Sequence, residues 1–297
     1  MTDVPRQAVA EKLTELQVLN AIHGKMLGRA EALDRMAFWL QSAAIGINIL
    51  GLLLGLKYPT VLPLAAGIIS VILLVVWLAT YRRHLVFRSA GEKARRCHLL
   101  ADSFGVALSP TDLGQLLQRA DADAAALRRY LQNDYYPPSG PVGAARLSLA
   151  TWESAFFSEA LNKKAAESYR RWFWFVLIVF MFALVVTLRF TPQSDSNPML
   201  DSVATILLTG GSFAVLAELF LRSELHAHAA ADLAPIQIHL DQLYRRAFVT
   251  PVDLLMVLGD YNSTVEAAPM IPKRIYEANR DRLNEQWKII VAGLPER

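Results

Sequence analysis

The sequence predicts an all-α membrane protein, with four transmembrane helices in two hairpins and a helical cytoplasmic domain. Three observations predict it. Of 297 residues, 54% are hydrophobic and only 19% charged, with a positive mean hydropathy, where a soluble domain carries about 25% charge. Four apolar stretches are long enough to cross a bilayer. No pair of alternating segments reads as paired strands. The lone cysteine, Cys97, excludes a disulfide framework and any CxxC metal site. A net charge of +3 provides no basic field for coating DNA or RNA.

Residues 1–35 read as a cytoplasmic helix. Val9, Leu13, Leu16, Asn20, His23, Leu27 and Ala30 recur at alternating spacings of four and three, a narrow seam of the coiled-coil kind. Asn20 in that seam either fixes the register of a partner helix or sits in an intramolecular helix pair. No apolar run of signal-peptide type occurs here, so no signal peptide is expected.

Residues 36–81 form the first hairpin. Met36 to Leu56 carries no charge and, as a helix, covers about 31 Å of a hydrocarbon core roughly 30 Å thick. Lys57-Tyr58-Pro59-Thr60 turns the chain into a second span, Val61 to Tyr81. Ser42, Gly46, Gly51 and Gly55 favour a close helix crossing. Asn48, near the bilayer centre, needs a partner across a helix interface.

Residues 82–171 are a cytoplasmic helical region that begins by continuing span two through Arg96. Ser109-Pro110-Thr111-Asp112 is a helix start with a cap, a first-turn proline and an acid. That short helix runs to Ala120 and a second from Asp123 to Asn133. Pro137, Pro138, Gly140 and Pro141 then break the chain. A long helix from about Ser148 runs without a breaker into the next span.

Residues 172–221 form the second hairpin, from Trp172 to Leu188 and from about Val203 to Leu221. Ser202, Thr205, Thr209 and Ser212 recur at three, four and three, a polar stripe that either lines a water-filled path or packs helix on helix. Glu218 lies near the cytoplasmic end. A charge there costs far less than the roughly 2.5–3.5 kcal/mol of the bilayer centre, so it is solvated, paired with Arg222, or part of a conduction path. Residues 222–297 continue span four to about Ala234, where Pro235 kinks or ends the helix. Thr250-Pro251-Val252-Asp253 starts another helix, which Gly259 ends, and a last one covers Pro272 to Ile290.

Orientation follows from lysine and arginine bias. The two short loops hold only Lys57 and Arg189. The opposite flanks hold Lys25, Arg29, Arg35, Arg82, Arg83, Arg88, Lys163, Lys164, Arg170, Arg171 and Arg222, among others. Both termini and the central region are therefore expected in the cytoplasm. Such a chain is built to respond to something inside the cell.

No catalytic signature stands out: there is no GxxxxGK[ST], GxSxG or HExxH. His226 and His228 point about 200° apart on a helix and cannot share a metal. No enzyme activity and no cofactor are expected. A nucleotide site needs arginines for phosphate and aromatics for bases. The candidates are Arg128, Arg129, Tyr135, Tyr136, Arg146 and Trp152 in the centre, and Arg274, Tyr276, Arg282 and Trp287 near the end. Each also reads as surface charge or helix packing.

Two helical hairpins around about 90 cytoplasmic residues, with a helical tail, resemble the SMODS-associated four-transmembrane effector family of bacterial CBASS anti-phage signalling. Asp134-Tyr135-Tyr136-Pro137 is similar to the family's Asp-Trp-Tyr-Pro turn. Arg146-Leu147, Phe156-Phe157, Leu161 and Tyr169-Arg170-Arg171 fit its helix entering span three. Ile271-Pro272, Ile275-Tyr276, Arg280 and Glu285-Gln286 resemble its closing helix. Leu149 to Ser154 stands where the family has Cys-Gln-Arg-Ser-Asn. The resemblance implies a multi-pass protein of the bacterial inner membrane, functionally linked to a nucleotidyltransferase. A cyclic di- or trinucleotide would bind on the cytoplasmic side, and the protein would oligomerise, disrupt the membrane and cause abortive infection. A small oligomeric channel or transporter, or a membrane-anchored helical scaffold, are the other readings of the same layout.

Overall fold

The computed structural model describes residues 13–55, 61–121, 124–131, 142–190, 198–246 and 249–294; within the helices, side chains at 52, 53, 55, 124, 125, 187–190, 198–212, 214, 215 and 251 lie outside the description. The described residues form eight α-helices and no strand: α1 (Glu15–Gly55), α2 (Val61–Phe104), α3 (Pro110–Ala120), α4 (Ala124–Arg128), α5 (Ala144–Phe190), α6 (Pro198–Arg245), α7 (Pro251–Ala267) and α8 (Lys273–Ala292).

Four of these exceed 40 residues, because each apolar stretch continues into the adjoining polar region without a break. α5 begins at Ala144, four residues before the start read from the sequence. α4 stops at Arg128, short of the expected Asn133, and Arg129 and Tyr130 turn the chain.

Two expected endings do not occur. α6 continues past Pro235, which therefore does not end it. Proline costs a helix interior about 3 kcal/mol, but Leu233, Ile236, Leu240 and Leu243 are all buried in one core on either side of it, and that packing outweighs the lost bond. α7 likewise runs through Gly259, where glycine costs about 1 kcal/mol, because Val257, Leu258 and Tyr261 are anchored in the same core. The expected starts hold. Ser109 Oγ accepts the Asp112 N–H at 3.1 Å, and Thr250 Oγ1 accepts the Asp253 N–H at 3.1 Å.

α1 and α2 pair antiparallel along their whole length. Asn48 meets Ser70, Ala30 meets His84 and His23 meets Gly91. The seam on α1 meets α2 at His23, Leu27 and Ala30, while Val9 lies outside the described residues; beside the seam, Leu19, Ile22 and Met26 form a core with Ala90 and Ala94, which α3 and α4 close with Leu116 and Leu127. A close crossing occurs at Gly91, where a Cβ would stand 3.0 Å from Leu27 Cδ2 and 3.2 Å from Met26 Cβ. At Gly46 a Cβ would meet nothing within 4 Å.

α5 and α6 make the second antiparallel hairpin. Phe180 faces Phe213, Phe173 faces Phe220, Asn162 meets His226 and Trp152 approaches Tyr244. α7 and α8 pack on its far end around Leu254, Tyr261 and Trp287.

α2 and α5 are long and apolar enough to cross a membrane, and only 22% and 17% of their apolar windows are buried. The core helix of a soluble protein would bury most of its window. Here Ile72 is 56% exposed and Phe182 70%. The sequence reading counted four spans. Over their described residues α1 and α6 do not reach the same threshold, and much of the apolar part of α6 lies at 198–212, outside the described side chains.

Candidate functional site

A cavity of about 960 Å³ opens where both hairpins meet α7 and α8. All its lining residues fall outside 36–81 and 172–221. Helical periodicity explains the lining. α5 contributes Glu153, Phe157 and Leu161 at successive turns, and α2 contributes Arg88, Glu92 and Arg95. α8 adds Tyr276, Arg280, Asn284 and Lys288 along one stripe, with Trp287 beside it. The linker Ala268–Ile271 closes one edge. Trp287 is fixed by packing edge-on against Trp152, with ring centroids 5.5 Å apart and planes at 89°.

The α2 wall is a finished network. Arg95 Nε donates to Glu92 Oε2 at 2.7 Å, Nη1 to Tyr261 Oη at 3.2 Å and Nη2 to Asn262 Oδ1 at 3.1 Å. Arg88 Nη2 donates to the Val265 carbonyl at 2.7 Å, and burial pushes its guanidinium pKa down. Burial alone would raise the Glu92 carboxyl, but Arg95, through its charge and its hydrogen bond, and Arg88 hold it below the usual range. Burial drives His23 down to about 4, so it is neutral. Its Nδ1 lies 3.1 Å from the Gly91 carbonyl, which fixes the tautomer with the proton on Nδ1.

The other walls are open. No described residue pairs with Arg280, Lys288 or Glu153. Burial pushes the half-buried Glu153 carboxyl up, with no cation opposing it. Four cations (Arg88, Arg95, Arg280, Lys288) and two carboxylates (Glu92, Glu153) thus face a space bordered by Phe157, Tyr261, Tyr276 and Trp287. Such a lining suits an anionic ligand with flat, hydrogen-bonding rings.

A second cluster ties the hairpins together at the ends of the apolar stretches. Arg222 is 5% exposed. Its Nη1 donates to Asp34 Oδ1 of α1 at 2.9 Å and its Nε to Glu218 Oε1 at 2.8 Å. Its guanidinium lies 5.9 Å from the centre of the Tyr169 ring. Burial opposes the charge on Arg222, but Asp34, Tyr169 and Glu218 outweigh it and raise its pKa. Tyr169 stacks on His226, whose Nδ1 is 2.7 Å from Asn162 Oδ1. Asn162 also lines the cavity. Contacts therefore run unbroken from the cavity wall to the ion cluster.

Of the residues the sequence singles out, the structure brings Trp287 and Tyr276 into the cavity. Trp152 is buried behind Trp287. Arg146 pairs with Asp102 at 2.8 Å, away from the cavity. Arg274 and Arg282 are exposed on α8 outside the lining, and Arg128 and Arg129 are exposed at the end of α4. Tyr135 and Tyr136 lie outside the described residues. So do the side chains of Ser202, Thr205, Thr209 and Ser212, although their backbone is part of α6. Asn48 is fully buried and accepts a hydrogen bond from Ser70 Oγ at 2.6 Å. Glu218 is paired with Arg222, one of the arrangements its sequence position allows.

Sequence reasoning missed Arg88, Glu92, Arg95, Glu153 and Lys288. Arg88 enters the sequence reading only as a topology marker. The i, i+4, i+7 spacing of Arg88, Glu92 and Arg95 was a one-face signal that was there to be read. No family model matches the chain, and neither a curated protein nor a solved structure does.

Proposed function

We propose that the protein is a ligand-gated membrane effector of bacterial anti-phage defence. In this reading α1, α2, α5 and α6 supply four spans of the inner membrane, with both termini in the cytoplasm. The cavity takes a cyclic di- or trinucleotide made by a partner nucleotidyltransferase. Occupancy rearranges the hairpins, the protein oligomerises, and the membrane is breached. The observation that supports this most is the position and chemistry of the cavity: it lies beyond the apolar stretches, touches both hairpins, and pairs cations with aromatic faces. Gating requires the ligand to bind the active arrangement more tightly than the resting one. A shift from 1:99 to 99:1 takes a roughly 10⁴-fold difference in affinity. The contacts from Asn162 through His226 and Tyr169 to Arg222 offer a route for that difference to reach the spans.

The test is the full chain in dye-loaded liposomes challenged with a panel of cyclic di- and trinucleotides. Dye release is expected with at least one nucleotide and not without it. No binding and no release across the panel would overturn the reading. Steady release without any nucleotide would favour a constitutive channel.

A further inference from the structure

We infer that Glu153 makes the cavity selective for guanine, an inference that rests on the cavity taking a cyclic nucleotide. The cavity holds two carboxylates of different standing. Glu92 is committed to Arg95 at 2.7 Å. Glu153 has no hydrogen bond or ion pair to any described residue and faces the space directly. One turn along α5 stands Phe157, and Trp287, held edge-on by Trp152, lines the same cavity. A base bound against this aromatic lining would share the cavity with the unpartnered Glu153 carboxylate.

An ionised carboxylate only accepts hydrogen bonds. Among the nucleobases, guanine alone presents two adjacent donors, N1–H and the exocyclic N2–H, on its pairing edge. Adenine and cytosine each set a ring lone pair beside the amine, and that lone pair would face the carboxylate oxygen. Uracil has one N–H flanked by two carbonyls. The two guanine donors match the two carboxylate oxygens, and they would offset the burial that disfavours the charged form of Glu153. The phosphates would then fall to Arg280 and Lys288, which line the same cavity from one stripe of α8 with no described partner.

The experiment is calorimetric titration of the full detergent-solubilised chain with cyclic di-GMP, cyclic di-AMP and cyclic di-UMP, for the wild type, Glu153→Gln and Glu153→Asp. Wild type is expected to favour cyclic di-GMP by about 10- to 100-fold, the range of a charge-assisted hydrogen-bond pair. Glu153→Gln replaces one acceptor oxygen with a donor, so it should erase or reverse the preference between guanine and adenine. Glu153→Asp keeps the carboxylate and should keep the ranking at lower affinity. A purely structural role for Glu153 would weaken all three ligands alike, and an unchanged ranking in Glu153→Gln overturns the inference. Tight wild-type binding that favours adenine or uracil overturns Glu153 as the reader of guanine and leaves the cavity reading standing. No binding of any of the three to wild type overturns both for cyclic dinucleotides. If Glu153→Gln does not fold, the wild-type ranking and Glu153→Asp still decide.

Discussion

α2 uses its side chains in opposite ways at its two ends. Near Val61 it leaves Ile68, Ile72, Val75 and Leu78 exposed. Past His84 it buries Ala90, Ala94 and Leu99, and with them Glu92, Arg95 and His98. α5 shows the same inversion, from buried Leu147, Ala155 and Leu161 to exposed Phe175, Ile178 and Phe182. The polar end is a packed domain whose core, with the Arg95–Glu92 pair, lies inside. Among the described residues the apolar end has one small cluster, Ala66, Phe180 and Leu216, and α2 and α5 turn most of their described apolar side chains outward. Exposed apolar faces of this extent need a partner or an apolar medium. The lesson is that one helix presents two kinds of surface, and its energetics should change along its length.

The largest expected effect lies at the junction of the two ends. Arg222→Met leaves the partly buried Asp34 and Glu218 without their cation, and breaking a buried cluster costs up to about 3–5 kcal/mol. Chemical unfolding in detergent micelles should show that loss. Ile72→Ala, on the exposed apolar face, should stay within about 0.5 kcal/mol in the same assay. Adding Asp34→Asn and Glu218→Gln to Arg222→Met should recover much of the stability. An equal response from Arg222→Met and Ile72→Ala would erase the contrast.

A second effect belongs to the polar end alone. His23 is neutral when folded, with its pKa pushed down to about 4 from an ordinary 6.5. Glu92 favours the charged form, while burial, Arg95 and His98 disfavour it. The unfolded chain takes up a proton as pH falls through 6.5, and the folded chain does not until about pH 4. Stability from this group is therefore complete above pH 6.5 and declines between there and pH 4, by about 3 kcal/mol at most. His226, pushed down to about 3 by burial and by Arg222, acts with the same sign. Unfolding curves of wild type should weaken across that window, and His23→Gln should flatten part of the slope.

How much of this was legible in the sequence depends on whether the deciding interactions were local. The capped starts at Ser109 and Thr250 are local, and they read directly. So is the pairing of Glu218 with Arg222, one turn apart. The continuity of α6 through Pro235 is not local, because the residues that hold it, such as Leu254 and Trp287, come from other helices. The seam on α1 was visible, but whether its partner was another chain or α2 depended on residues far along the sequence, Gly91 among them. The cavity was the least legible feature. Its walls come from α1, α2, α5, α7 and α8, and nothing in a single segment announces that Arg88 and Trp287 border one space. The arginines that looked most like phosphate ligands were solvent-facing, as at Arg128 and Arg129, or already paired, as at Arg146.

The smallest effect sharpens the comparison from the apolar end. Ser70 donates to Asn48 at 2.6 Å between α1 and α2, and both side chains are buried. Hydrogen bonds between helices in an apolar medium are worth about 0.6 kcal/mol on average and about 1.7 at most, because the separated helices also find partners. Ser70→Ala should therefore cost about that much in a mixed-micelle unfolding titration. Thr80→Ala is the matched control, since Thr80 Oγ1 donates to the Val76 carbonyl of its own helix at 2.8 Å and ties no second helix. The difference between the two variants isolates the cross-helix bond. If that difference approached the cost of Arg222→Met, polar contacts would hold the apolar end as firmly as they hold the packed one. The two ends would then not differ in kind. A difference of a few tenths to about 1.7 kcal/mol would mean that the first hairpin keeps its register mainly through the polar end, where His23 meets Gly91 and His84 meets Ala30.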